Sequence, residues 1–214
     1  MNDLPLPTGA RYRVRGPAGA DAVVCMNGGQ RAEVPGPWSA SLEWLVDRLA
    51  PRLPGLRFAE VRYRIKSWTR LELCVEDALA AIDATGGPRT LLLGFSMGGA
   101  VATRAAAHPS VVEVLGLAPW LPERLGLESL DGRRLTILHG ALDRYLPGIP
   151  GVSPANSRAG FERARSRGVE GTYTLIPGAL HGIAVRAPWG ATVPLPRARR
   201  WEQLVAEQLA RFAL

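Results

Sequence analysis

A chain of 214 residues, 47% apolar and 21% charged, has the makeup of a folded globular protein rather than a disordered one, and it is short enough for one domain spanning residues 1–214. Its formal charge of +7 is carried almost wholly by arginine, with Lys66 the only lysine. Apart from Arg197, Arg199 and Arg200 the arginines are scattered and accompany no nucleic-acid-binding pattern, so a nucleic-acid partner is not expected.

No apolar run approaches the roughly 20 residues of a membrane span, and residues 1–15 lack the basic and apolar regions of a secretion signal, so a cytoplasmic protein with no membrane partner is expected. Cys25 and Cys74 have neither paired partners nor metal-ligand spacing and read as reduced core residues.

Short β-rich apolar runs alternate with helical patterns, which predicts an α/β fold: a mainly parallel sheet with helices on both faces. Residues 11–15 alternate in character and 22–26 form a buried run that breaks at Asn27, Gly28 and Gly29. A helix follows over 41–50, with Leu42, Leu45, Val46 and Leu49 on one face and Pro51 ending it. A strand is expected at 56–63. Thr69 and Glu72 have capping-box spacing and predict the start of a helix that runs to residue 84, where Gly86, Gly87 and Pro88 stop it. Strands at 90–94, 111–117, 135–139 and 172–176 alternate with helices at 97–108, 155–167 and 197–212. Residues 183–196, rich in proline and glycine, remain unassigned.

Between the strand at 90–94 and the helix that follows, Gly94, Phe95, Ser96, Met97 and Gly98 spell G-x-S-x-G, a pattern that lifts a hydroxyl above a sheet edge on a sharp turn. A serine hydroxyl is a poor nucleophile at neutral pH. It needs a histidine to take its proton, and that histidine needs a carboxylate to hold its tautomer. Of the three histidines, His108 falls at a helix end and His139 at a strand end, where surface and packing roles suffice. His181 instead follows the last strand in a flexible loop, at the sheet edge that carries Ser96. Asp143 follows another strand's carboxyl end and is the expected acid, with Glu123 and Asp131 as rivals; Asp77 and Asp83 sit within a helix, where solvated carboxylates are ordinary.

The elbow G-F-S-M-G-G, the segment H-G-A-L-D-R-Y-L-P, the segment P-G-A-L-H-G and the order Ser, Asp, His resemble the α/β-hydrolase superfamily from about residue 10 onward. The resemblance implies a small esterase-like serine hydrolase with an oxyanion hole built from backbone amides. Matched positions give Met97 and Gly29, with Gln30 the alternative to Gly29. Where many relatives have His-Gly after the early strand, this chain has Asn27 and Gly28. Serine at the elbow also separates it from the dienelactone-hydrolase branch, which usually has G-x-C-x-G.

After Leu117 only about fifteen residues precede the next strand, too few for a helical cap domain. Residues 183–196 either drape over the site or form a plain surface connection. Trp120, Trp38, Trp68 and Trp189 follow predicted strands and are candidates for an apolar acyl pocket, with loop packing as the other role open to each. Arg64, Lys66 and Arg144 lie on similar loops and could attract an acidic substrate group, or simply solvate the surface. The expected activity is hydrolysis of a carboxylic ester or thioester of a small-molecule acyl substrate, with no metal or organic cofactor. The alternative is a non-catalytic ligand-binding or scaffold protein on the same fold.

Overall fold

The computed structural model describes residues 3–143 and 151–214. Among these, one sheet has the strand order β1-β2-β4-β3-β5-β6-β7-β8. Its members are β1 (Asp3–Pro5), β2 (Arg11–Arg15), β3 (Ala22–Met26), β4 (Arg57–Arg62), β5 (Thr90–Phe95), β6 (Val111–Leu117), β7 (Arg134–Gly140) and β8 (Glu170–Ile176). From β4 to β8 every neighbouring pair is parallel, while β1 and β2 add antiparallel strands at one edge. The mainly parallel α/β sheet anticipated from the alternating runs is therefore present, extended by the short β1.

Helices α1 (Ala40–Leu49), α2 (Leu71–Thr85), α3 (Met97–Ala105), α4 (Pro154–Ser166) and α5 (Ala198–Phe212) cover the two faces. Successive side chains of a strand point to opposite faces, and the core divides accordingly. Val24, Leu92, Val114 and Ile137 pack with α2, α3 and α4, whereas Val23, Leu91, Leu93, Leu115 and Leu138 pack with α1 and α5. This two-sided burial is why the central strands read as unbroken apolar runs. Each of these side chains contributes about 2 kcal/mol by leaving water. Cys25 and Cys74 are free and buried, consistent with core roles.

Three local details add to the sequence reading, and the first departs from it. The Thr69–Glu72 capping box does not form: a 3-10 turn, Trp68–Arg70, precedes α2, and Ser67 Oγ accepts the Thr69 amide at 3.3 Å. The Thr69 hydroxyl donates to Glu33 instead, at 3.0 Å. Ser67, two residues upstream, captures the turn and delays the helix start.

Residues 183–196 contain an antiparallel hairpin of β9 (Ala184–Arg186) and β10 (Thr192–Pro194). It rests on α1, where buried Ser41 Oγ accepts the Ile183 and Ala184 amides at 3.0 and 3.2 Å and donates to the Ala184 carbonyl at 3.1 Å. This arrangement is the plain surface connection.

The third detail concerns the elbow. The sharp turn expected there is present, and Ser96 itself, not a glycine, takes its left-handed φ of 55°. The glycines serve close approach: a Cβ on Gly94 would lie 2.3 Å from the Gly98 carbonyl oxygen, and one on Gly98 would lie 2.2 Å from that of Met26.

Candidate active site

In an open parallel sheet, groups on the loops after the strands gather at the carboxyl edge. Ser96 follows β5, Asp143 follows β7 and His181 follows β8. The β5–α3 turn holds Ser96 at φ 55° and ψ −121°, a conformation that costs a non-glycine residue of order 1–3 kcal/mol and persists because the surroundings enforce it. The Ser96 amide donates to the Leu117 carbonyl at 3.0 Å, and its carbonyl accepts the Gly99 and Trp120 amides at 2.9 and 2.8 Å. These bonds tie the strained residue to β6, to the first turn of α3 and to the loop after β6.

The His181 ring joins the other two groups. Its Nε2 lies 3.0 Å from Ser96 Oγ and its Nδ1 lies 2.6 Å from Asp143 Oδ2. In the tautomer this geometry favours, Ser96 donates to Nε2 and Nδ1–H donates to the carboxylate. Phe95 packs beside the imidazole, with ring centroids 5.1 Å apart.

Asp143 is buried, and its other oxygen, Oδ1, accepts the Val152 amide at 3.0 Å. Burial pushes the Asp143 pKa up, but hydrogen bonds from His139 and His181 outweigh that and hold it below the usual carboxylate range. Of the rival acids, Asp131 is ion-paired with Arg167 at 2.9 Å on the surface, and Glu123 lines a separate cleft beside α4.

A cavity of about 220 Å³ adjoins the hydroxyl, lined by Gly29, Trp68, Ser96, Met97, Trp120, Gly151 and Val152. Met97 opens α3, where the first amides of a helix have no intrahelical acceptor. Gly29 lies against it so closely that a Cβ would sit 2.1 Å from Met97 Sδ. Gln30 does not fit the role of second amide donor, because its N–H is already given to the Lys66 carbonyl at 3.3 Å.

Of the four tryptophans singled out from the sequence, Trp68 and Trp120 line this cavity. The other two do not. Trp38 lies under the Arg13 guanidinium, 4.4 Å from its ring centroid, and Trp189, 78% exposed, sits in the β9–β10 turn. Both follow strands, but packing against Arg13 and the reach of the hairpin carry them elsewhere.

The basic candidates also separate. Arg64 is ion-paired with Glu76 and Asp77 and donates to the Thr8 carbonyl. Lys66 lies against Gly36, where an added Cβ would meet its stem. Arg144 is outside the described residues. His108 donates or accepts locally with Ser110 and Asp83, at 2.9 and 3.0 Å. His139 is the residue that sequence reasoning missed: it is fully buried and touches Asp143, a contact that its four-residue separation from that acid could have suggested.

Among the described residues no cluster of His, Cys, Asp and Glu is arranged to hold a metal ion, and no helix is long and apolar enough to cross a membrane.

No curated protein matches the sequence. Several solved structures share the fold at low identity. A protein of unknown function from Agrobacterium tumefaciens is 14% identical with a TM-score of 0.71, covering 98% of this chain and 94% of its own. An alpha-beta serine hydrolase homologue from Coxiella burnetii is 17% identical with a TM-score of 0.66, covering 97% and 96%. The 2-hydroxy-6-oxo-6-phenylhexa-2,4-dienoate hydrolase of a Rhodococcus species is 13% identical with a TM-score of 0.70, covering 100% and 99%. The family model described as "Alpha/beta hydrolase family" matches residues 23–213, a span that runs from within β3 through α5 and includes all three groups at the carboxyl edge. The chain therefore belongs to the alpha/beta hydrolase family.

Proposed function

We propose that this protein is a serine hydrolase that cleaves a carboxylic ester or thioester through an acyl-enzyme. The observation that carries the reading is the bridging ring of His181, 3.0 Å from Ser96 Oγ on one side and 2.6 Å from Asp143 Oδ2 on the other. A hydroxyl, an imidazole and a buried carboxylate in series have the composition and contact order of a charge-stabilised nucleophile.

In this reading Ser96 Oγ attacks the acyl carbon while its proton passes to His181 Nε2. The carbonyl oxygen becomes an oxyanion, stabilised by the amides of Met97 and Gly29. His181 then gives the proton to the departing alkoxide or thiolate, leaving an ester on Ser96. A water molecule, deprotonated by the same nitrogen, attacks that ester, and the carboxylic acid leaves as Ser96 regains its proton. Asp143 keeps its charge throughout and stabilises the transient imidazolium.

The adjoining cavity supports a preference among acyl groups. At about 220 Å³ it is smaller than the roughly 300–1,000 Å³ common for sites that enclose drug-sized ligands. Its indole walls favour a short or aromatic acyl chain over a long one. Purified protein should turn over p-nitrophenyl butyrate faster than p-nitrophenyl palmitate, and Ser96→Ala should abolish turnover of both. Wild-type rates in Ser96→Ala would refute the assignment.

A further inference from the structure

Two histidines converge on one carboxylate oxygen. Besides His181, His139 at the end of β7 places Nε2 3.0 Å from Asp143 Oδ2 and 3.0 Å from the Val152 carbonyl oxygen. Both neighbours of that nitrogen are acceptors, so Nε2 carries a hydrogen and shares it between them. The opposite nitrogen, Nδ1, is buried with no hydrogen-bond partner among the described residues, which disfavours a second proton there. The Val152 amide meanwhile donates to Asp143 Oδ1 at 3.0 Å. His139 thus closes a ring of contacts in which one residue, Val152, grips Asp143 through its amide and His139 through its carbonyl.

Resting on the catalytic reading of Ser96, His181 and Asp143, we propose that His139 is a positioning residue of the same site. It fixes the orientation of the Asp143 carboxylate and, by occupying part of Oδ2, limits how strongly that oxygen holds a protonated His181. Three N–H donors disperse the carboxylate charge, and removing one concentrates it on the remaining two. A more localised charge favours the imidazolium, so base function would require a higher pH.

The surroundings leave few other groups to confuse that effect. Among the described residues, Tyr173 of β8 stacks on His139 with centroids 6.4 Å apart and planes inclined by 16°. Its hydroxyl donates to the Pro154 carbonyl at 3.0 Å, and burial raises its pKa. Arg158 of α4 lies over the Tyr173 ring at 4.2 Å. Phe161, 5.7 Å from Tyr173, completes the apolar side.

The test uses two substitutions and one measurement on the unaltered protein. His139→Phe keeps a ring against Tyr173 but removes the donor. It should lower kcat about tenfold with KM unchanged and move the acid limb of the kcat/KM profile up by about one pH unit, the scale expected for losing a hydrogen bond to a charged group. His139→Gln, whose amide nitrogen can replace Nε2, should bring the limb back. An acid limb that stays in place in a folded His139→Phe protein, with kcat per folded molecule unchanged, would overturn the proposal and leave His139 a packing residue.

If His139→Phe does not fold, nitrogen-15 NMR of the unaltered protein decides. A hydrogen on Nε2 of His139 supports the shared bond, and a hydrogen on Nδ1 alone overturns it. An unaltered protein inactive on every ester would count against the hydrolase reading itself, a failure separate from the tautomer result.

Discussion

Replacing Asp143 by asparagine is the most informative perturbation of the proposed chemistry. The carboxylate accepts three N–H groups: His181 and His139 on Oδ2, and the Val152 amide on Oδ1. An amide offers one acceptor and one donor in their place, so in either orientation its NH2 group must face at least one N–H. The milder arrangement keeps the oxygen toward the two histidines and strands the Val152 amide. A buried donor left without a partner costs about 1–3 kcal/mol, which chemical denaturation would register.

Catalysis should suffer more, because the charge that stabilises the imidazolium disappears in both orientations. In triads of this kind the loss is roughly 10⁴-fold in kcat, or about 5 kcal/mol of transition-state stabilisation. The assay is turnover of p-nitrophenyl butyrate by Asp143→Asn, with circular dichroism to show that the fold is intact. A folded Asp143→Asn protein whose kcat stays within about tenfold of wild type would refute Asp143 as the orienting acid and reopen the question of which carboxylate acts.

Trp120→Ala should enlarge the cavity, lower kcat/KM for the butyrate ester by about tenfold and raise the decanoate-to-butyrate ratio; an unchanged ratio would mean that the indole does not bound the acyl site. Gly98→Ala places a Cβ 2.2 Å from the Met26 carbonyl oxygen, so α3 must back away from β3 at a cost of about 3 kcal/mol; an unshifted urea midpoint would contradict this. Glu43 supplies the pH dependence: burial would raise its pKa, but hydrogen bonds from Arg186, Arg13 and Thr192 lower it from 4.5 to about 2. A carboxylate depressed in the folded state stabilises the protein above its unfolded pKa and loses that contribution as pH falls through the folded one. Glu43→Gln should therefore cost about 1–2 kcal/mol at neutral pH, after allowance for solvent screening, and flatten the loss of stability between about pH 4.5 and 2. Parallel acid-unfolding curves for the two proteins would exclude the effect.

The legible parts of the molecule were those in which local pattern and tertiary role coincide. Buried parallel strands such as Ala22–Met26 announce themselves because both faces are covered, and the Ser, Asp, His order places each group after a strand, where the topology then gathers them. What depended on long-range contact was not legible. The β9–β10 hairpin owes its place to a hydroxyl more than a hundred residues away, Ser41 Oγ. Trp38 and Trp189 satisfied the rule that placed Trp68 and Trp120 at the site, because position after a strand sets the sheet edge and not the direction of the side chain. The role of the Gln30 amide was decided by the Lys66 carbonyl. His139 read as a packed strand residue, and it is packed; its four-residue separation from Asp143 hints at their contact, but the Val152 amide and carbonyl that join the two carry no signal in the sequence.

In the proposed chemistry Ser96 is activated by its neighbours. Treatment with a fluorophosphonate followed by peptide mass spectrometry tests it directly, since only an ionisable, base-assisted hydroxyl reacts readily. One adduct per chain is expected, located on Ser96 and lost in His181→Ala. A protein that remains unlabelled, or one labelled on another side chain, would contradict it.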